Sequence, residues 1–441
     1  MIIVQMKYSR CKIDWLARVA LLLAGLFILF TMPACVASSA QDREKGWRAD
    51  IDFLLKEMQR QHYVYKSQPL PVALQQQAAK LKEEVPHLSD ERMLVELQRL
   101  MVYLGDGHCY VLPWGARRVQ SKILPLRFYL FSDGLFVIDS DEGYERWIGR
   151  RVIKFANTTT EEAMAQMDKL VSCDNKMGIK WIGPLLLRFR GALEIVSTGV
   201  NPQGTKIPVT LADRDGNATE AELELIPALR MRGVPKLIAS KSSQAQSAPL
   251  YLQNVATLYW LKELSDANAV YVQFNQVIDG AEETLATFAT RLQQILDKSL
   301  PAALIVDVRH NNGGNADLLS PFIDVLVKFE RRQQRNKLFI LTGRNTFSAA
   351  QIFISRVDRL TNAIFAGEPS SSKPNFVGEE NEVILPWSGA ICSLSNRYHE
   401  SIPGDQREWI EPEIKVELSS QDYFANRDRV LEAVLNTSKS Q

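Results

Sequence analysis

The segment Ala303-Leu304-Ile305-Val306-Asp307-Val308 constrains this chain most. A short, β-rich apolar run of this kind belongs to a strand buried on both faces, and such strands sit in parallel sheets covered by helices. The neighbouring sequence agrees. Leu285, Phe288, Ala289, Leu292 and Leu296 recur at helical spacing before the run. After it, a helix is expected from about Asp317 to Val327, a strand at Leu338–Leu341, a helix from Ser348 to about Val357, and a strand at Ala363–Ala366. This alternation predicts an α/β core, residues 250–441, built on a mainly parallel sheet. In such sheets ligands gather beyond the carboxyl ends of the strands. Asn311-Asn312-Gly313-Gly314 and Asn345-Thr346-Phe347-Ser348 fall there.

At 441 residues the chain exceeds one ordinary domain. Lys7, Arg10, Lys12 and Arg18, then the apolar run Val19–Met32, then Ala37-Ser38-Ser39-Ala40 have the order of a secretory signal over residues 1–40. The run is short for a membrane span, and an uncleaved anchor is the alternative. Export places the chain outside the cytoplasm, in the periplasm or beyond. Residues 41–118 read as helical. Ile51, Leu54 and Met58 share one helix face, and Leu74, Ala78 and Leu81 another. Ser89 is the expected N-cap of a third helix that ends at Gly105. Asp106-Gly107-His108 then lies in the turn beyond a helix. Hairpin signals at Ser132-Asp133-Gly134 and Asp213-Arg214-Asp215-Gly216 make residues 119–235 a β-rich module. Residues 236–249 read as a linker or loop. The formal net charge of +1 gives no reason to expect nucleic acid as a partner. Of five cysteines, cleavage after Ala40 leaves three, so one disulfide at most could form. The absence of a Cys-x-x-Cys pair argues against a structural zinc site, and no metal or cofactor is expected.

Ser348 sits at a strand-to-helix turn. A nucleophile there is exposed, and the N–H of Ala349 can face a developing oxyanion. A serine that starts a helix is ordinarily its N-cap, which is the competing reading. Gly313 and Gly314 permit close backbone approach and could supply a second oxyanion donor. His108, one of five histidines, is a candidate general base. Lys373, in the polar loop after a strand, is the other candidate.

Together these segments resemble the C-terminal-processing (tail-specific) serine peptidases and the related tricorn core. Leu104-Gly105-Asp106-Gly107-His108 looks like that family's Gly-Asp-x-His segment. Leu304 to Gly314 resembles its strand ending in Asp-Leu-Arg-x-Asn-x-Gly-Gly, and Thr346-Phe347-Ser348-Ala349-Ala350 its nucleophile segment. Gly367-Glu368-Pro369 resembles its next strand end, and Trp409 to Ile414 and Arg427 to Glu432 are similar to its closing elements. The resemblance implies a Clp-protease/crotonase-like core and a PDZ-like middle module. It also implies hydrolysis of a peptide or protein substrate through an acyl-enzyme on Ser348. Lys373 stands at the tail-specific lysine position, but Val377 replaces the family's following glutamine. His108 matches the tricorn-type histidine, whose glutamate has only Gln406 or Glu408 as nearby equivalents. His310, where the family has a small residue, is expected to crowd the oxyanion site. The alternatives are a binding protein on the same scaffold with an incomplete relay, and an esterase using the same serine.

Overall fold

The computed structural model describes residues 40–228, 237, 248–332 and 337–439. The expected signal (except Ala40) and the expected linker (except Leu237, Ala248 and Pro249) lie outside the described residues. Contacts divide the chain into residues 1–45 and a compact unit, 46–441. No described helix is long and apolar enough to cross a membrane.

The centre of the larger unit is a six-stranded sheet. Its order is Tyr259–Leu264, Ala269–Phe274, Ala303–Asp307, Lys337–Thr342, Ile364–Gly367, Ile414–Lys415. The first pair is antiparallel and the others are parallel. All five residues of Ala303–Asp307 are buried, as its composition predicts. Alternation divides them. Leu304 and Val306 pack with the helices Leu285–Ser299, Ser320–Arg332 and Ala349–Leu360, whereas Ala303 and Ile305 pack with Val430 and Val434 of the closing helix Arg429–Lys439. Full burial of Phe288, Leu292 or Phe353 contributes roughly 1.5–3 kcal/mol each.

Two further layers flank this core. Leu126–Phe131, Gly134–Ser140, Arg151–Phe155, Lys206–Ala212 and Ala218–Glu224 form an antiparallel sheet, with both expected hairpins present. Its helices Lys176–Leu186 and Arg190–Val196 were not singled out in the sequence. Pro184 and the nearly unbroken apolar run conceal the first. The N-terminal helices pack on a three-stranded sheet made of Tyr110–Val111 and the long hairpin Asn375–Ile384/Ile391–Glu400. This hairpin also escaped the sequence reading, because its exposed half carries Glu379, Glu380 and Glu382 rather than β-forming residues. Its buried half carries Phe376 and Gly378 to the side of His108.

Candidate active site

The strand Lys337–Thr342 ends in a loop that leads to Ser348, and the next helix begins at Ala349. Ser348 has φ 55° and ψ −124°, a conformation a side-chain-bearing residue rarely adopts. Such strain costs about 1–3 kcal/mol and persists only where the surroundings enforce it. Here they do. Phe347 N–H donates to Asn311 O (3.1 Å), Thr346 Oγ1 to Val308 O (2.9 Å), and Ala350 N–H to Phe347 O (3.0 Å). The Ser348 hydroxyl makes no capping bond, so the ordinary role of a helix-opening serine is not the one it has.

Gly313 passes against this serine. A Cβ on Gly313 would stand 2.7 Å from Ser348 Cβ and 2.9 Å from Ala349 N. On Gly314 it would stand 2.2 Å from Val277 O. Both glycines also have positive φ, 111° and 136°. Only glycine meets both demands. The loop is pinned by Val277 N–H to Gly313 O (2.8 Å) and Asn315 N–H to Val277 O (2.7 Å). Gly313 donates its own N–H to Asn311 Oδ1 (3.0 Å). Among the described residues, the N–H groups of Gly314 and Ala349 have no protein acceptor. Of the three expected donors, Gly313 is the one whose N–H is already engaged in this conformation.

His108 follows the helix Asp90–Met101, a short 3-10 turn, and Gly105 in the left-handed conformation at φ 74°. Asp106 anchors the turn. Its carboxylate accepts from His62 Nε2 (2.9 Å), Ser395 Oγ (2.6 Å) and His108 N–H (3.0 Å). Burial pushes the Asp106 carboxyl up, but the His62 and Ser395 hydrogen bonds outweigh it and hold it below the usual range. The His108 ring is 2% exposed, and neither ring nitrogen has a hydrogen-bond partner. It lies between Phe347 (centroids 4.3 Å apart) and Phe376 (5.4 Å). Burial lowers its pKa to about 4.

Ser348, His108, Ala349, Gly313 and Gly314 line one cleft of about 1090 Å³. Trp114, Trp181, Ile182 and Leu185 supply an apolar part of its lining, and Arg356, Arg397 and Glu400 a charged part. No hydrogen bond joins Ser348 to His108 in this conformation. Lys373 is not among the lining residues. It lies toward Cys173 and Asp174, whose ionisation its charge favours. Asp174, which the sequence did not single out, is buried and accepts from Gly107 N–H (2.9 Å). Burial pushes its carboxyl up to about 7 against that hydrogen bond. Nothing in its local spacing marks it, since its partner is 67 residues away in sequence.

One other expectation is corrected. His310 turns away from the cleft, with Nε2 2.7 Å from Tyr251 O, and does not crowd Ser348. Gln406 and Glu408 are exposed outside the cleft lining and give His108 no carboxylate or amide partner. Cys109, Cys173 and Cys392 are all free. His62, Asp106 and Cys109 hold potential metal-ligand atoms within 4.8 Å of one another. Their hydrogen bonds are complete without an ion: His62 Nδ1 accepts from Val64 N–H (3.3 Å), and Cys109 Sγ contacts Ser395 Oγ (3.5 Å).

No protein-family model and no curated protein sequence matches the chain. Solved structures do. Mature CPAF complexed with lactacystin superposes with a TM-score of 0.62 at 14% identity, covering 89% of this chain and 97% of that one. The photosystem II D1 C-terminal processing protease matches at 12% identity over 90% and 98% of the two chains, with a TM-score of 0.40. The tricorn protease matches at 13% identity over 89% of this chain and 36% of that one, with a TM-score of 0.39. Over 89% of its length the chain thus shares the fold of CPAF.

Proposed function

We propose that this chain is an exported serine endopeptidase that hydrolyses peptide bonds through an acyl-enzyme on Ser348. The carrying observation is the strained Ser348 backbone, which holds the hydroxyl off the helix end and in the cleft beside two N–H groups without protein acceptors. A peptide carbonyl brought to Ser348 Oγ would develop its negative charge toward Ala349 and Gly314. Gly313 contributes by its lack of a side chain, which lets the loop approach the serine.

His108 is the favoured base and Lys373 the alternative, because only His108 lines the cleft with Ser348. Its low pKa keeps the ring neutral at pH 7 and able to accept a proton. Both of its ring nitrogens are without a hydrogen-bond partner in this conformation, so either can receive the proton. The proton then passes to the leaving amine, and water hydrolyses the acyl-enzyme. No step calls for a metal or cofactor.

The six-stranded sheet with its covering helices supports the Clp-protease/crotonase-like reading of the core, and the antiparallel sheet with its helices the PDZ-like reading of the middle module. Export rests on the order of charged, apolar and small residues over 1–40. Nothing in the fold favours the binding-only alternative. A fluorophosphonate probe tests the reading: it should label Ser348 in the folded protein, and lactacystin, found bound to CPAF, should compete with it. A folded protein that takes no label at Ser348 would remove the nucleophile.

A further inference from the structure

The helix that begins beyond Ser348 carries a second feature of the cleft. Ser348, Ile352 and Arg356 recur at helical spacing, and all three line the cavity. Arg356 is only partly exposed, and among the described residues it has no hydrogen bond and no ion pair. Other arginines of the same core are engaged. Arg309 binds Asp307 and Asp428, Arg344 binds Glu368, Arg359 donates to Ser401 O, and Arg407 binds Asp405 and Asp358.

Carboxylates in the cleft lining do not satisfy it. Glu380 accepts from Tyr110 (3.0 Å), Glu379 faces His399 (3.6 Å), and Glu400 accepts from Gly404 N–H (3.1 Å). Asp317 is exposed and makes no ion pair with Arg356. A partly desolvated guanidinium with no acceptor is unfavourable by itself, and its planar fork suits a bidentate carboxylate.

We propose that Arg356 anchors a carboxylate of the substrate peptide, with the carboxylate a few residues from the bond presented to Ser348. This rests on the peptidase reading of Ser348. The helix rises about 1.5 Å per residue, which places Arg356 roughly 12 Å along its axis from Ser348. An extended peptide covers that length in about three or four residues. The carboxylate is either an aspartate or glutamate side chain or the free end of the peptide.

Fluorescence anisotropy on the Ser348→Ala protein tests this directly. The probes are labelled, carboxyl-amidated peptides built on one cleaved apolar sequence, with aspartate or asparagine at each position in turn. Unamidated peptides truncated at each position form the second arm. Aspartate should bind about tenfold more tightly than asparagine at one position on one side of the scissile bond, the gain expected of one charge-assisted hydrogen bond. Preference confined to the truncated series would identify a terminal carboxylate instead. Arg356→Gln should abolish the preference and Arg356→Lys keep part of it, with unchanged melting temperature because Arg356 has no partner in the fold. Equal binding of aspartate and asparagine peptides with no preference for a free terminus, or a preference that survives Arg356→Gln, overturns the assignment while leaving hydrolysis by Ser348 intact. Failure of every peptide to bind or be cleaved overturns the peptidase reading, and this inference with it.

Discussion

Two helices of the core open on a hydroxyl side chain and use it differently. Thr284 begins Leu285–Ser299 with φ −76° and ψ 159°, and its Oγ1 accepts from Thr287 N–H (3.1 Å). Ser348 begins Ala349–Leu360 with φ 55° and ψ −124°, and its oxygen caps nothing. Thr284 is exposed and takes the ordinary cap geometry. Ser348 is held by hydrogen bonds on both sides and by Gly313 pressed against it. A hydroxyl at a helix start is therefore structural by default. It becomes available for chemistry when the tertiary structure prevents it from capping.

The contrast can be broken most decisively at Ser348. Ser348→Ala should lower peptide hydrolysis by about 10⁴-fold or more with no loss of thermal stability, since no cap is removed. An unchanged hydrolysis rate in the purified variant would make Ser348 structural after all. The partner residue comes next. His108→Ala should cost roughly 10²–10⁴-fold in kcat/KM, whereas Lys373→Ala should cost less than about tenfold. The opposite ranking would transfer the base to the lysine.

The pH profile carries a smaller effect with a definite sign. His108 must be neutral to accept a proton, and burial holds its pKa at about 4. The acid limb of kcat/KM should therefore fall near pH 4, well below the 6.5 of an unperturbed histidine. His108→Ala should remove that limb. The same shift bears on stability: the folded state resists protonation that the unfolded chain accepts. Stability is thus present above pH 6.5 and lost as pH falls toward 4, which thermal melts of wild type and His108→Ala would separate. The smallest effects lie in the helix starts themselves. Thr284→Ala should destabilise by about 1 kcal/mol and leave activity alone. Ser348→Gly should stabilise by about 1 kcal/mol by relieving the positive φ, with activity lost. Denaturant titration reads both, and equal losses of stability at the two positions would erase the distinction.

Much of this architecture was legible in the chain. The run Ala303–Val308 implied a strand covered on both faces, and it is one. Ser89 was expected to cap its helix, and its oxygen accepts from Arg92 N–H (3.1 Å). Gly313 and Gly314 were expected at a close approach, and positive φ and steric contact both require them. These features are local, governed by the period of apolar residues and by what one backbone position tolerates. The hairpin Asn375–Glu400, the placement of Asp174 under Gly107, and the direction of His310 were not legible, because each depends on partners far away in sequence.

The sequence by itself determined that a serine would stand at a strand-to-helix turn and a glycine pair beyond a buried strand, because spacing and backbone preference act within a few residues. It could not decide between His108 and Lys373. Their positions relative to Ser348 follow from how the helical layer, the long hairpin and the central sheet pack together. That packing brings His108 to the lining of the serine's cleft between Phe347 and Phe376, and leaves Lys373 outside that lining, toward Asp174.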